Sequence, residues 1–387
     1  MPNTWSVCSP GDANKDRNPS KTYLKTIIYQ VQVIRFWHKY KEMIVIVATG
    51  SAIGILGVLL AYLGNPRNSG ICVSCFMENL SGSLGLHAND RMQYIRPELL
   101  GFVLGGTAAA LIAREFKSEG GSSPILRFLA GVLLIVGCSI FLGCPIKMVL
   151  RLSDGDFTAI AGVAGLIFGI WIGYVFLRRG FYLGDTRPLP FINGLIIPIF
   201  MAALVAAVVF KPDFLYFSST GPGAQRAPVA FALGSGLFIG FLAQRSRFCV
   251  TGSIGNFIVS GDTKLLWGLL SMVLFAFLAG WYGGTFSPGF EGQPGSHLAY
   301  GWSFLGMALV GVTSIMVGGC PFRQLILAGQ GSADAGASVF GMIAGGAIVQ
   351  SWGITSSNSG PTNLGQITTL LGLAFVLALG VIMRVRD

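Results

Sequence analysis

The sequence predicts an all-α polytopic membrane protein with about nine or ten transmembrane helices. Of its 387 residues, 52% are hydrophobic and only 11% are charged. Apolar runs of about 20 residues, the length that a helix needs to cross a bilayer, recur along the whole chain. The 55 glycines fit close helix packing in lipid, where small side chains let backbones approach one another.

Ten candidate spans follow a polar N-terminal segment. Residues 1–22 are polar and are expected to be disordered. Residues 24–41 are expected to form an amphipathic helix on the membrane, or else an ordinary surface helix. We expect the membrane spans at residues 43–64, 98–114, 124–142, 158–178, 191–210, 228–244, 265–284, 302–319, 335–352 and 364–384.

Lysine and arginine residues predict the orientation of these spans. With the N-terminus in the cytoplasm, the inner segments hold 19 of the 26 basic residues and the outer loops hold 7. This bias favours cytoplasmic N- and C-termini. It also accounts for the net charge of +10 without a nucleic-acid partner.

A five-residue motif occurs twice and indicates an internal repeat. Residues 143–147 read Gly-Cys-Pro-Ile-Lys, and residues 319–323 read Gly-Cys-Pro-Phe-Arg, 176 positions later. Proline favours the first position of a helix, so each cysteine is expected at or next to the N-cap. There the thiol lies beside free N–H groups and the positive end of a helix dipole.

Further matches extend this repeat over the chain. Cys72-Val-Ser with Asn79 matches Cys249-Val-Thr with Asn256 at an offset of 177. The predicted domains are therefore a tail with a surface helix (1–42), a first repeat (43–210) and a second repeat (211–387). Five spans per repeat is an odd number, so the second repeat is expected to enter the membrane upside down, a common transporter design.

Four short stretches between the spans are expected to be re-entrant helices. They are rich in Gly and Ser and only partly apolar, which makes them poor spans. Non-helical ends at membrane depth are tolerated where they line a cavity or pack inside protein. These stretches are residues 70–85, 144–156, 249–261 and 320–333.

Cysteines in these short stretches are the predicted substrate path. A thiol is a weak donor and a soft acceptor. A row of thiols can therefore hold a soft sulphur or selenium anion weakly at several points, as passage requires. The Cys72/Cys75 pair leaves open a disulfide, dithiol chemistry or a single working thiol, of which we favour Cys75. The path consists of Cys72, Cys75, Cys144, Cys249 and Cys320.

Charged and polar residues near the thiols are candidates for binding the anion. The cations have an alternative role in anchoring the chain at lipid headgroups. The asparagines either bind substrate oxygens or satisfy the backbone of a broken helix. Nearby acidic residues (Glu78, Asp154, Asp156 and Asp334) are expected to cap helices or to pair with the cations. The candidates are Lys147, Arg323, Arg245, Arg247, Asn79 and Asn256.

Motifs for catalysis and for metal binding are missing from the sequence. The three histidines are scattered, and there is no HExxH motif and no Cys/His cluster with zinc spacing. We therefore expect no catalytic residue, no metal and no cofactor. Basic residues beside the thiols also argue against a soft metal cation such as Cu(I) as the substrate.

At these residues the chain resembles the YeeE/YedE family of bacterial inner-membrane proteins, the sulphur-transport family. The resemblance rests on residues 72–79, 143–147, 245–249 and 319–323, and it covers nearly everything after residue 43. Residues 143–156 look most like the YedE branch linked to selenium metabolism. The resemblance implies an hourglass-shaped protein with an inverted repeat, an inner-membrane location and a cytoplasmic sulphur-carrier partner of the TusA/SirA type. It also implies that Cys75, Cys144 and Cys320 pass the anion along by weak S–H contacts.

The predicted function is uptake of a small sulphur- or selenium-containing anion, such as thiosulfate. One alternative is a membrane redox or enzyme component that handles sulphur through Cys72 and Cys75. No haem, flavin or quinone motif supports it. The other is a membrane receptor for a sulphur-carrier protein, which the predicted pore-lining helices disfavour.

Overall fold

The structure is a computed structural model that describes the backbone of residues 19–384 and the side chains of residues 40–384. Most of the polar tail expected at residues 1–22 lies outside the described residues. The side chains of the expected amphipathic helix at 24–41 lie outside them too, apart from the last two. The chain divides into two compact units, Met1–Ile44 and Val45–Asp387. Everything below concerns the second unit.

The regular secondary structure of the described chain is almost entirely helical, which confirms the predicted all-α class. Two strands, β1 (Glu119–Gly120) and β2 (Arg187–Pro188), form one short antiparallel pair with Glu119 opposite Pro188. In chain order the helices are α1 (Pro19–Tyr62), α2 (Val73–Ser83), α3 (Pro97–Ile112), α4 (Pro124–Phe141), α5 (Pro145–Ser153), α6 (Ala159–Arg178), α7 (Phe191–Phe210), α8 (Val229–Ser246), α9 (Val250–Ser260), α10 (Lys264–Tyr282), α11 (Tyr300–Val317), α12 (Pro321–Gly329), α13 (Ala333–Ser351) and α14 (Asn363–Ile382).

Nine helical stretches in the described part of the chain are long and apolar enough to cross a membrane. The tenth predicted span, at 98–114, corresponds to α3, an apolar helix of 16 residues that is shorter than the others. The protein is therefore a multi-pass membrane protein, within the predicted range of nine or ten transmembrane helices.

Four short helices occupy the stretches that were expected to be too short to span. Helices α2 and α9 have 11 residues each, and α5 and α12 have 9 each. Each begins directly after a cysteine in extended conformation, which is the N-cap of the helix. The four N-caps are Cys72, Cys144, Cys249 and Cys320.

Long helices from one predicted repeat pack against long helices of the other. A Cβ added to Gly165 of α6 would lie 2.1 Å from the carbonyl oxygen of Phe304 in α11. A Cβ added to Gly341 of α13 would lie 2.0 Å from the carbonyl oxygen of Phe128 in α4. Both glycines and both phenylalanines are 176 positions apart, so the two contacts correspond residue for residue.

The next turn of the same helices repeats this correspondence. A Cβ on Gly169 would lie 2.1 Å from the Ala308 carbonyl oxygen, and one on Gly345 would lie 3.0 Å from Cα of Val132. These positions are again 176 apart. In each pair of contacts, a glycine of the first repeat meets a helix of the second, and the matching glycine of the second repeat meets a helix of the first. Two repeats related by a two-fold axis produce such pairs. The predicted boundary at residues 210 and 211 lies inside one compact unit and stays a prediction.

The connections between the long helices fall into two groups. Among the described residues, no hydrogen bond joins a connection of one group to a connection of the other. In one group, residues 91–96 contact 218–225, and residues 154–157 contact 287–289. In the other, residues 115–123 contact segments at 183–190, 244–245 and 330–334. We call these the cavity end and the opposite end. Successive long helices run between them, as crossing a membrane back and forth requires.

Replacing Gly165 by alanine tests the close helix contacts. Gly165→Ala places a methyl group against the Phe304 carbonyl, and we expect it to reduce the free energy of unfolding by about 1–3 kcal/mol. Gly234 of α8 is the matched control, because a Cβ there would meet nothing within 4 Å. Gly234→Ala should be neutral or stabilising, since alanine favours helix over glycine. Thermal unfolding in detergent measures both, and equal stabilities would contradict the packing argument.

Candidate functional site

The N-termini of α2 and α5 meet at two thiols. Cys72 caps α2, and its sulphur accepts a hydrogen bond from the Cys75 N–H at 3.4 Å and lies 3.4 Å from the Ser74 hydroxyl. The Cys144 sulphur, at the start of α5, accepts from the Val73 N–H at 3.3 Å. Both sulphurs therefore satisfy free N–H groups at the beginning of α2, as an N-cap acceptor does.

The second repeat also brings α9 and α12 together at two thiols. Cys249 accepts from the Gly252 N–H at 3.4 Å and contacts the Thr251 hydroxyl at 3.1 Å. It also accepts from the Cys320 N–H at 3.5 Å, and the sulphurs of Cys249 and Cys320 are hydrogen-bonded at 3.5 Å. These contacts explain the repeated Cys-Val-[Ser/Thr] pattern, because the hydroxyl two residues on contacts the capping thiol.

All the cysteines on the predicted path are free thiols, and they differ in exposure. Cys72, Cys144, Cys249 and Cys320 are buried, whereas Cys75 is partly exposed. Cys72 and Cys75 are both free thiols in this structure, and the role of Cys75 as a working thiol stays a prediction. In this conformation water reaches the predicted path at Cys75.

The glycine of each Gly-Cys-Pro motif makes room for the cation that follows it. A Cβ on Gly143 would lie 2.7 Å from Cδ of Lys147, and one on Gly319 would lie 2.6 Å from Cγ of Arg323. The aliphatic stem of each cation thus folds back over the start of its own helix. This contact explains why glycine, cysteine, proline and a basic residue recur together.

The acidic residues near the motifs do not pair with these two cations. The pairing alternative is wrong for the side chains that the structure describes, where none of the ion pairs involves Lys147 or Arg323 and each carboxylate has another hydrogen-bond partner. Glu78 accepts from Gln350, Asp154 from Thr285, Asp156 from Arg151 and Thr158, and Asp334 from Ser122.

Lys147 and Arg323 are consequently left without a carboxylate. Lys147 is only 4% exposed and makes no side-chain hydrogen bond or ion pair with any described residue. Arg323 has a buried guanidinium nitrogen, Nη1, without a hydrogen-bond partner in the described region. Charges in such surroundings are costly unless something pairs with them, so the anion-binding role predicted for both residues stays a prediction.

A cavity of about 970 Å³ opens at the cavity end, and Lys147 lies in its wall. Cys75 is the thiol that lines it, and Asn79 lines it too. The side-chain amide of Asn79 donates to the Cys75 carbonyl at 2.7 Å, so it supports the backbone of α2 beside that thiol. Among the lining residues, the positive side chains are Arg67, Arg91, Arg96 and Lys147, and the carboxylate is Glu78.

Arg96 is a fixed positive charge in this wall that the sequence analysis counted only as a loop residue. It is 2% exposed and donates to the Asn65 side-chain oxygen at 3.1 Å and to the carbonyls of Pro222 and Gln225 at 2.6 and 2.9 Å. These acceptors are neutral and orient the guanidinium, which also interacts electrostatically with the buried Glu98 carboxyl. Its place directly before Pro97, at the start of a helix, was the available signal.

The other predicted anion-binding residues lie elsewhere. Arg245 forms an ion pair with Glu115 at 3.0 Å, and both side chains are exposed. Arg247 is exposed and ends α8 in a left-handed conformation, with φ of 55°. The Asn256 side chain is partly buried and makes no hydrogen bond with the described residues. None of these residues lines the cavity.

Comparison with known protein families now bears on these motifs. Residues 245–386 match the family model described as sulphur transport. The predicted resemblance to the sulphur-transport family is confirmed. The matched region contains Cys249, Cys320 and Arg323, and the related motifs of the first repeat lie outside it. No curated protein matches the chain. Family and fold together support a multi-pass, sulphur-related transporter rather than an enzyme.

Differences in thiol exposure can be measured directly. Variants that retain only Cys75 or only Cys138 form a matched pair, because Cys138 is a buried thiol in the last turn of α4. We expect a membrane-impermeant maleimide to label Cys75 at least about tenfold faster, since thiol reactivity follows exposure. Mass spectrometry gives both rates, and equal labelling would contradict the assignment of Cys75 to the open cavity.

Proposed function

We propose that the protein takes up a small sulphur- or selenium-containing anion, such as thiosulfate, along a path of cysteine thiols. The observation that carries this proposal is the meeting of helix N-termini at thiols beside two cations that have no carboxylate partner. The selenium branch of the family belongs to the proposal as a second possible substrate class. Sulphur and selenium anions of this kind share charge and size.

The helix N-termini favour an anion for a general electrostatic reason. Each carries free N–H groups and about half a positive charge, which attract negative groups. An Asp cap would carry a full negative charge, whereas sulphur satisfies an N–H as a weaker and softer acceptor. Lys147 and Arg323 add a full charge at the first turns of α5 and α12.

The proposed route has three stages. The anion enters the cavity and meets Cys75, passes to Cys72 and Cys144, and then reaches Cys249 and Cys320. Weak S–H contacts at each stage hold it without trapping it, which transport requires. The last four thiols are buried, so the route also requires an opening motion between Cys75 and the opposite end.

The distribution of basic residues sets the proposed direction. The cavity end carries the segments that the positive-inside bias places outside the inner membrane, so the cavity faces the external side. The N- and C-termini are then cytoplasmic, and transport through the cavity is inward. A cytoplasmic sulphur-carrier protein of the TusA/SirA type is the proposed partner at the opposite end.

Uptake of labelled thiosulfate into proteoliposomes tests the thiol path. Cys144→Ala and Cys320→Ala each remove a weak hydrogen bond of about 0.5–1.5 kcal/mol, so we expect uptake to fall about two- to tenfold. Cys138→Ala is the control, because that buried thiol caps no helix. Unchanged uptake in both test variants would refute the path. Uptake that requires a reductant, and that is lost only in Cys72→Ala or Cys75→Ala, would instead support a membrane redox component.

Lys147→Met tests the proposed anion attraction. Loss of a nearly buried charge at the cavity wall should weaken thiosulfate binding about tenfold, because such charges are poorly screened by water. Arg179→Met is the control, since Arg179 is exposed at the end of α6 that faces the opposite end. Titration calorimetry measures both affinities. Equal affinity of Lys147→Met and the unaltered protein would show that Lys147 serves another purpose.

A further inference from the structure

The carboxyl group of Glu78 is out of place in an anion-binding cavity. Among the described residues that line the cavity, its carboxylate accompanies four cations. A negative charge there repels the anion that the cations attract. Glu78 is 3% exposed, and it takes part in none of the ion pairs found between described residues.

Neutral amides hold this carboxyl in position. The Gln350 side chain of α13 donates to one carboxyl oxygen of Glu78, and the Asn89 side chain donates to the Gln350 oxygen at 2.7 Å. Gln350 also lies 3.3 Å from the Thr355 hydroxyl. The second oxygen of Glu78 makes no hydrogen bond with a described residue, and the side chain lines the cavity. A proton from the cavity water can therefore reach it.

The titratable groups around Glu78 come from every element packed near it. Lys147 of α5 is the nearby cation, without a direct ion pair, and α13 contributes the neutral Gln350. The imidazole of His87 donates to the backbone carbonyl of Glu78 at 2.9 Å and accepts from the Asn89 N–H at 3.2 Å, so it is neutral. The groups near Glu78 or in the same cavity wall are Cys72 and Cys75 of α2, Cys138 of α4, Lys147 of α5, Arg67 of the segment after α1, and His87, Arg91 and Arg96 of the segment before α3.

The fold itself does not require an acid at this position. Residue 78 corresponds to Gly255 at the offset of 177, and α9, which contains Gly255, has the same length as α2. Cys75 likewise corresponds to Gly252. Cys75 and Glu78 both differ from the glycines at the matching positions of the second repeat, and both line the cavity.

We propose that Glu78 takes up a proton when an anion binds in the cavity, so that proton and anion binding are coupled. This inference rests on the proposed function. Protonation removes the one negative charge of the wall and leaves the cations to hold the anion. A bound anion in turn favours the protonated carboxyl, because linkage between two sites is reciprocal. The proton comes from water in the cavity, and no bond other than O–H forms or breaks.

Thiosulfate binding to the purified protein between about pH 5.5 and 8.5 tests this coupling, because thiosulfate stays a dianion over that range. Coupling to one proton should weaken binding as pH rises, by at most about tenfold per pH unit. A pH indicator in weakly buffered solution should record proton uptake on binding. Glu78→Gln, which keeps the shape of the side chain, should bind thiosulfate with an affinity independent of pH and without proton uptake.

Glu115→Gln is the control. Glu115 pairs with Arg245 at the opposite end and does not line the cavity. It should keep the pH dependence of the unaltered protein. Binding to the unaltered protein that is independent of pH, or pH dependence that persists in Glu78→Gln, would overturn the inference alone. No thiosulfate binding at any pH would overturn the proposed function and the inference with it.

Discussion

This structure depends on one constraint: the N–H groups of helices that begin inside a membrane protein need hydrogen-bond acceptors. Four short helices start there, and each leaves N–H groups that water cannot reach. The chain meets this demand with sulphur atoms at α2 and α9, since Cys72 and Cys249 cap these helices and Cys144 also accepts from α2. Sulphur is a weak, soft acceptor, so these contacts are weaker than those of an Asp or Ser cap.

Close helix packing fixes where those N-termini meet. Glycines of α6 and α13 contact backbone carbonyls of the other repeat at distances that no side chain would allow. Each repeat therefore holds the long helices of the other, and the two sets of short helices are fixed between them. The same demand for space explains Gly143 and Gly319, which accommodate the stems of Lys147 and Arg323.

Departures from the repeat distinguish the cavity end from the rest of the molecule. The capping thiols and the two cations occur in both repeats, because both repeats need helix caps and both present positive N-termini. Cys75 and Glu78 occur in the first repeat only, where they line the cavity, and glycines replace them in the second. The repeat thus supplies a scaffold, and its exceptions supply a thiol and a carboxyl that contact water.

The sequence by itself determined the helical class, the four short helices and the capping cysteines, because proline, glycine and apolar run length act locally. It also identified the repeat at an offset of 176, although not the helix contacts that this repeat makes. Only the tertiary structure decided which charges are paired. Asp156 binds Arg151 and Asp334 binds Ser122, whereas Lys147 has no described partner, and Arg96 reaches the cavity wall from a loop. Charge pairing depends on distances between residues far apart in the chain, and these arise only when the helices of the two repeats have packed.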